Sequence, residues 1–143
     1  RLFRQSVRYT YRMAIRKLTA QQLNVLDSKA TEPPFSGELL HNEDIGEYSC
    51  VRCGAILFAS EHKFDSGSGW PSFYDVANSQ SVKLQEDRSH GMRRIEVVCA
   101  KCGGHLGHVF NDAPQTPTNM RFCINSCVLD FKAKDMKGND ADR

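Results

Sequence analysis

Apolar residues in this chain come in short runs broken by polar clusters, a pattern of many short strands and little helix. The helical exception lies near the start. Leu18, Leu23, Val25 and Leu26 accompany Thr19, a residue suited to capping a short helix. Paired prolines in Thr31-Glu-Pro-Pro-Phe-Ser-Gly37 then force an extended or turning path. After a polar connector, Tyr48–Val51 and Ala55–Phe58 predict two short strands with Gly54 at the turn. Asp65–Asp75 is a glycine-rich loop holding the single tryptophan, Trp70. Val82–Leu84 predicts a strand, Arg88–Gly91 a turn, and Met92–Val98 a strand of imperfect alternation. Asn111–Asn119, with two prolines, reads as a loop, and Arg121–Phe131 as the last strand. The expected fold is one mainly β domain over residues 18–133, between a basic tail at 1–17 and a polar tail at 134–143.

Charge changes that picture only at the start. Residues 1–17 hold six of the 19 lysines and arginines and no acid. The remaining 13 basic residues face 17 acidic ones, a net charge of −4. A body of that sign lacks the basic stripe of a nucleic-acid surface. The arginine-rich, acid-free tail has the composition of a mitochondrial presequence, or is simply a basic tail. No apolar run approaches the ~20 residues of a membrane-spanning helix.

The candidate chemistry lies in cysteine and histidine. Four of the six cysteines form two C-x-x-C units, Cys50/Cys53 and Cys99/Cys102, separated by 45 residues. Such knuckles supply the four thiolates of a tetrahedral zinc site, and a full sulfur sphere makes the site structural. His105 and His108 follow at once and are alternative ligands by position. Cysteines used this way point to a reducing intracellular compartment, cytoplasmic or mitochondrial.

The other two cysteines fall in Arg121-Phe-Cys-Ile-Asn-Ser-Cys127. On one extended strand Arg121, Cys123, Asn125 and Cys127 would share a face, with Phe122 and Ile124 turned to the core. A neighbouring cation favours the thiolate. Read from its own residues, Cys123 is either a reactive thiol or a half-buried strand cysteine.

Several stretches together resemble the methionine-R-sulfoxide reductase B family. They are Leu18-Thr19, Thr31–Gly37, Cys50-x-x-Cys53, Ser66-Gly-Ser-Gly-Trp-Pro-Ser-Phe73, Arg94-x-Glu96, Gly104-His-Leu-Gly-His-Val-Phe110 and Arg121-Phe-Cys-Ile-Asn-Ser126. The resemblance implies an Mss4-like domain of antiparallel sheets with a structural zinc ion away from the catalytic groove. It implies thiol-dependent reduction of methionine-R-sulfoxide, chiefly in oxidised proteins and peptides. Cys123 would be the nucleophile, passing through a sulfenic acid. His105, His108 and Asn125 would assist it, and Trp70, Phe110 and Arg121 would bind substrate.

One departure bears on recycling. Many family members carry a recycling cysteine where this chain has Ser68. Cys127, four residues on, would lie about 13 Å from Cys123 on a straight strand, whereas a disulfide needs Cα atoms within ~7 Å. The expectation is an external dithiol such as thioredoxin, with Cys127 as resolving residue the alternative. A monomer is expected. The rival for the whole chain is a non-catalytic zinc module that binds a protein partner. It uses the four metal cysteines but leaves Trp70, His108, Cys123 and Asn125 without a role.

Overall fold

The computed structural model describes residues 17–134. The presequence-like character of residues 1–16 and the polar tail from 135 onward lie outside them. One helix and nine strands are described, and every strand pairing is antiparallel.

Helix α1 spans Ala20–Ser28. Its start is fixed by a reciprocal pair of bonds. The Thr19 hydroxyl accepts the Gln22 N–H at 3.1 Å, and the Gln22 side chain accepts the Thr19 N–H at 2.8 Å. The helix ends where Lys29 takes a left-handed conformation, φ 57°. Its buried residues, Val25 and Leu26, belong to the core.

A three-stranded sheet runs β2 (Ile56–Ala59), β1 (Gly46–Cys50), β9 (Leu129–Ala133). A six-stranded sheet runs β3 (Lys63–Phe64), β4 (Ser72–Phe73), β8 (Asn119–Ile124), β7 (His105–Ala113), β6 (Arg94–Cys99), β5 (Val82–Asp87). Aromatic rings join the two sheets. Phe58 of β2 stacks on Phe73 of β4 at 4.4 Å, and Tyr48 of β1 meets Phe73 edge-on at 5.0 Å. All three are fully buried, and the Tyr48 hydroxyl is satisfied by the Asn42 side chain at 2.8 Å.

The mainly antiparallel β fold with one short helix is as the pattern predicts; β5 runs on to Asp87, the glycine-rich loop holds the short β4, and two further differences shape the site. The loop expected over Asn111–Asn119 is shorter, because β7 continues to Ala113, which pairs with Asn119. The register shifts between Phe110 and Ala113, so the alternation that marks a strand is lost there.

The strand expected over Arg121–Phe131 is two strands in different sheets. β8 stops at Ile124, a 3-10 turn covers Ser126–Val128, and β9 begins at Leu129. The diversion has a clear cause. The buried Glu32 carboxylate accepts the N–H groups of Ser126 at 2.7 Å and Cys127 at 2.9 Å, bonds that would otherwise extend the ladder. Cys127 therefore does not continue the row of Arg121 and Cys123.

The contact that places the site is between β7 and β8. Gly107 pairs with Ile124, and His108 pairs with Cys123. A Cβ at Gly107 would lie 2.0 Å from the Cys123 carbonyl oxygen, so only glycine lets these strands close.

Candidate active site and metal clamp

The two C-x-x-C turns meet. Cys50, Cys53, Cys99 and Cys102 place their sulfurs within 4.8 Å of one another. Cys50 and Cys102 are 3.7 Å apart, and Cys53 and Cys99 are 3.5 Å apart. Sulfurs at ~2.3 Å from a tetrahedral zinc are separated by about 3.8 Å, so this donor set fits the ion. The neighbouring Cys99 thiol and burial push the Cys50 thiol up, opposed by backbone hydrogen bonds from Arg52 and Cys53, while Cys99 is lowered by Cys50 and by the backbones of Lys101 and Cys102. Arg52 reaches back to Asp27 on α1 at 2.7 Å, tying helix and clamp together.

Beyond the clamp, paired residues form a row across five strands: Ser72, Cys123, His108, Glu96 and Gln85. Directly paired residues share a face, so the row sets a thiol beside an imidazole. His108 Nε2 lies 2.7 Å from the Asp87 carboxylate. Asp87 is buried, and its carboxyl is held well below the usual carboxylate range by His108, by Ser89 and by Lys29. An ionised Asp87 requires a proton on Nε2, which leaves Nδ1 as the ring nitrogen without a partner among the described residues.

His105 has a different setting. Three residues apart on a regular strand, the two histidines would face opposite ways. The irregular register that pairs Val98 with His105 and Val97 with Gly107 leaves Leu106 over and rephases the strand. The rings then lie 5.3 Å apart. His105 is only 2% exposed, and its Nδ1 meets Glu96 at 2.7 Å. Burial lowers its basicity, and Glu96 opposes this only in part.

Asn125 lies just past the end of β8. Its amide donates to the Leu106 carbonyl at 2.9 Å, and its oxygen accepts the Glu32 N–H at 2.9 Å. The Glu32 carbonyl in turn accepts the Trp70 indole N–H at 3.0 Å. Trp70, His108, Phe110, Arg121, Cys123 and Asn125 line one cavity of about 290 Å³, with Ser68 and Thr31 beside them. The amphipathic wall, the imidazole and the thiol thus converge on a space the size of one side chain.

Comparison with known proteins gives the family. The SelR domain family matches residues 18–133. This chain belongs to the SelR domain family. A peptide methionine sulfoxide reductase MsrB of Methanosarcina barkeri is 57% identical over 118 residues, covering 82% of each chain. The peptide methionine sulfoxide reductase MsrB of Leptospira interrogans is 54% identical over 117 residues, 82% of this chain and 88% of its own. The mouse protein named methionine-R-sulfoxide reductase B3, mitochondrial, is 51% identical over 120 residues, 84% of this chain and 47% of its own.

Within this SelR domain, of the eight residues singled out from sequence for the reaction, six line one cavity and two do not. His105 is absent from the cavity lining and stands behind His108. Cys127 lines a separate cavity of about 550 Å³ with Glu32, Glu38 and Asp130. Its thiol is pushed up to about 12 by burial and by Glu32. Arg121 does line the site, but Asp112 holds it through two bonds of 3.0 Å, and it stacks on Phe110 at 4.3 Å.

Sequence reading missed Asp87, Glu32 and the thiol contact of Ser68, whose hydroxyl lies 3.9 Å from Cys123. Asp87 sits in a polar strand end that gives no local signal. Glu32 was visible only as part of the Thr31–Gly37 motif, whose prolines hid a buried acid.

Burial pushes the Cys123 thiol up, while Ser68 and Arg121 pull it back without cancelling the rise. The thiolate is therefore a minor species at neutral pH and grows as pH rises. Alkylation of Cys123 by iodoacetamide, followed by peptide mass, is expected to show a midpoint above the ordinary ~8.5 of a cysteine. Arg121→Met and Ser68→Ala are each expected to move the midpoint higher. A wild-type midpoint below 8 would contradict this account of the thiol.

Proposed function

We infer that this chain reduces methionine-R-sulfoxide in polypeptides to methionine, with Cys123 as the nucleophile. The observation that carries the reading is the single small cavity in which Cys123 meets Trp70, His108 and Asn125.

Methionine sulfoxide is a chiral lesion, repaired by one enzyme per epimer. An enzyme selecting one hand needs an apolar wall for the methyl group, a donor for the oxygen and a thiol at the sulfur. Trp70 offers the wall. His108 lines the cavity beside Cys123, within reach of an oxygen held there, and Asp87 steadies the ring through Nε2. His105 acts through Glu96 and the ring packing rather than by touching substrate.

The Cys123 thiolate attacks the sulfoxide sulfur. The Cys123 thiol proton passes to His108 Nδ1; returned from there to the oxygen, directly or through water, it lets the S–O bond break while the hydroxyl bonds to the Cys123 sulfur and the transient bond between the two sulfurs opens. The net step moves one oxygen and two electrons: the sulfoxide becomes a thioether, and the Cys123 thiol becomes a sulfenic acid. One thiol of a dithiol reductant then condenses with the sulfenic acid, releasing water. Its second thiol breaks the mixed disulfide and restores Cys123.

We assign that reductant to an external dithiol protein of the thioredoxin kind. The placement of Cys127 supports this, since its backbone is fixed by Glu32 and its thiol lies in another cavity. We assign zinc to the four-sulfur clamp, in a structural role. With four protein thiolates the ion has no open position, and it would hold the turn that feeds His105–Ala113. The unit acts as a monomer in a reducing compartment, cytoplasmic or mitochondrial, where four clustered thiols stay reduced. No described helix is long and apolar enough to cross a membrane.

The test is turnover of R- and S-sulfoxide peptides with dithiothreitol. R-specific turnover is expected for wild type and for Cys127→Ser, with a loss of at least about 10³-fold in Cys123→Ser. Turnover of the S epimer at a similar rate, or survival of activity in Cys123→Ser, would sink the reading.

Metal analysis is expected to return one zinc per chain. Removal by chelator is expected to lower the unfolding temperature and the activity together. Full activity in metal-free protein of unchanged stability would remove zinc from the account.

A further inference from the structure

A cavity of about 290 Å³ holds one oxidised side chain, so the polypeptide on either side of it must lie on the rim. One rim feature has no role in the chemistry above. Phe35 is 67% exposed, the highest value among the large apolar side chains of the described residues. It is also held in the left-handed region, φ 64°, which a bulky aromatic residue rarely adopts.

That conformation is fixed from two sides. The Phe35 N–H donates to the Gly69 carbonyl at 2.7 Å, and the turn before it is closed by Ser36 onto the Pro33 carbonyl at 2.6 Å. Gly69 itself has φ +96°, and a Cβ there would lie 3.0 Å from the Phe35 ring and 2.8 Å from Pro34. Gly69 lies between Ser68 and Trp70, both of which line the cavity. The ring therefore rests against the loop that forms the cavity wall while its outer surface stays in water. Strained backbone clusters at active sites and ligand clamps, and here the strain holds an apolar ring in water beside the cavity.

We propose that Phe35, backed by Pro34 and Gly69, is a docking platform for an apolar side chain next to the oxidised methionine in a polypeptide substrate. The proposal rests on the sulfoxide-reductase reading and adds a preference among substrates. Free methionine sulfoxide and glycine-flanked peptides fill the cavity but leave the platform empty. Peptides with leucine or phenylalanine beside the sulfoxide cover it.

The experiment compares KM and kcat for three R-sulfoxide substrates: an N-acetyl amide of the single residue, a glycine-flanked peptide and a leucine-flanked peptide. Wild type is expected to show a KM for the leucine-flanked peptide about five- to tenfold below that of the glycine-flanked one, in line with partial burial of an aromatic ring. Phe35→Asn suits the left-handed backbone and removes the ring. It is expected to abolish the difference while leaving kinetics on the other two substrates within about twofold. Phe35→Tyr is expected to retain the preference.

Equal KM values for the two peptides in wild type would overturn the proposal without any variant. So would an equal loss on all three substrates in a folded Phe35→Asn, which would make the ring a support for Trp70 alone. Absence of turnover on every substrate by wild type would instead refute the sulfoxide-reductase reading.

Discussion

The close approach of β7 and β8 at Gly107 is the constraint on which the site depends. It pairs His108 with Cys123, so a cavity-facing imidazole and the thiol are neighbours by backbone register rather than by side-chain reach. The same pairing puts the Leu106 carbonyl where it accepts both the backbone N–H and the side-chain amide of Asn125. Both ends of this strand pair are anchored elsewhere. β7 begins just after the Cys99/Cys102 turn of the metal clamp, and β8 ends where Glu32 captures the next two amides. A side chain at Gly107 would disturb the site more than most changes inside the cavity, because it would separate the two strands themselves.

Electrostatics then divides the labour between two similar pairs. Asp87 with His108 and Glu96 with His105 are both buried acid–histidine contacts of 2.7 Å, yet their surroundings differ. Lys29 bridges the two acids, at 3.0 Å from Asp87 and 3.6 Å from Glu96. Its placement follows from the left-handed end of α1. The outer histidine borders the cavity, and the inner one packs behind it. Because Asp87 titrates well below its ordinary value, the stability it lends is present above about pH 4 and fades as pH falls through the depressed titration.

Much of this was legible in the chain. The capping threonine, the two knuckles and the glycine-rich turn announce themselves because each acts through neighbours in sequence. The cavity residues were legible only through their motifs in combination, since a lone tryptophan or histidine has no chemistry until folding supplies its partners. What escaped reading were long-range backbone captures. Nothing near Asn125 reveals that Glu32, some ninety residues earlier, ends the strand there, and so the common face assigned to Cys123 and Cys127 failed. The strand bulge at Leu106 was hidden for the same reason: it exists to satisfy pairing with β6. It decides which way His105 points.

The central claim is that one thiol, Cys123, takes the oxygen of the R-sulfoxide unaided by a second cysteine. It is tested most directly by a single turnover without reductant. Mixing the protein with excess R-sulfoxide peptide and dimedone should yield one methionine per chain and one dimedone adduct, located at Cys123, with all other cysteines unmodified. Methionine formed together with a Cys123–Cys127 disulfide and no adduct would contradict the claim, as would an adduct at Cys127.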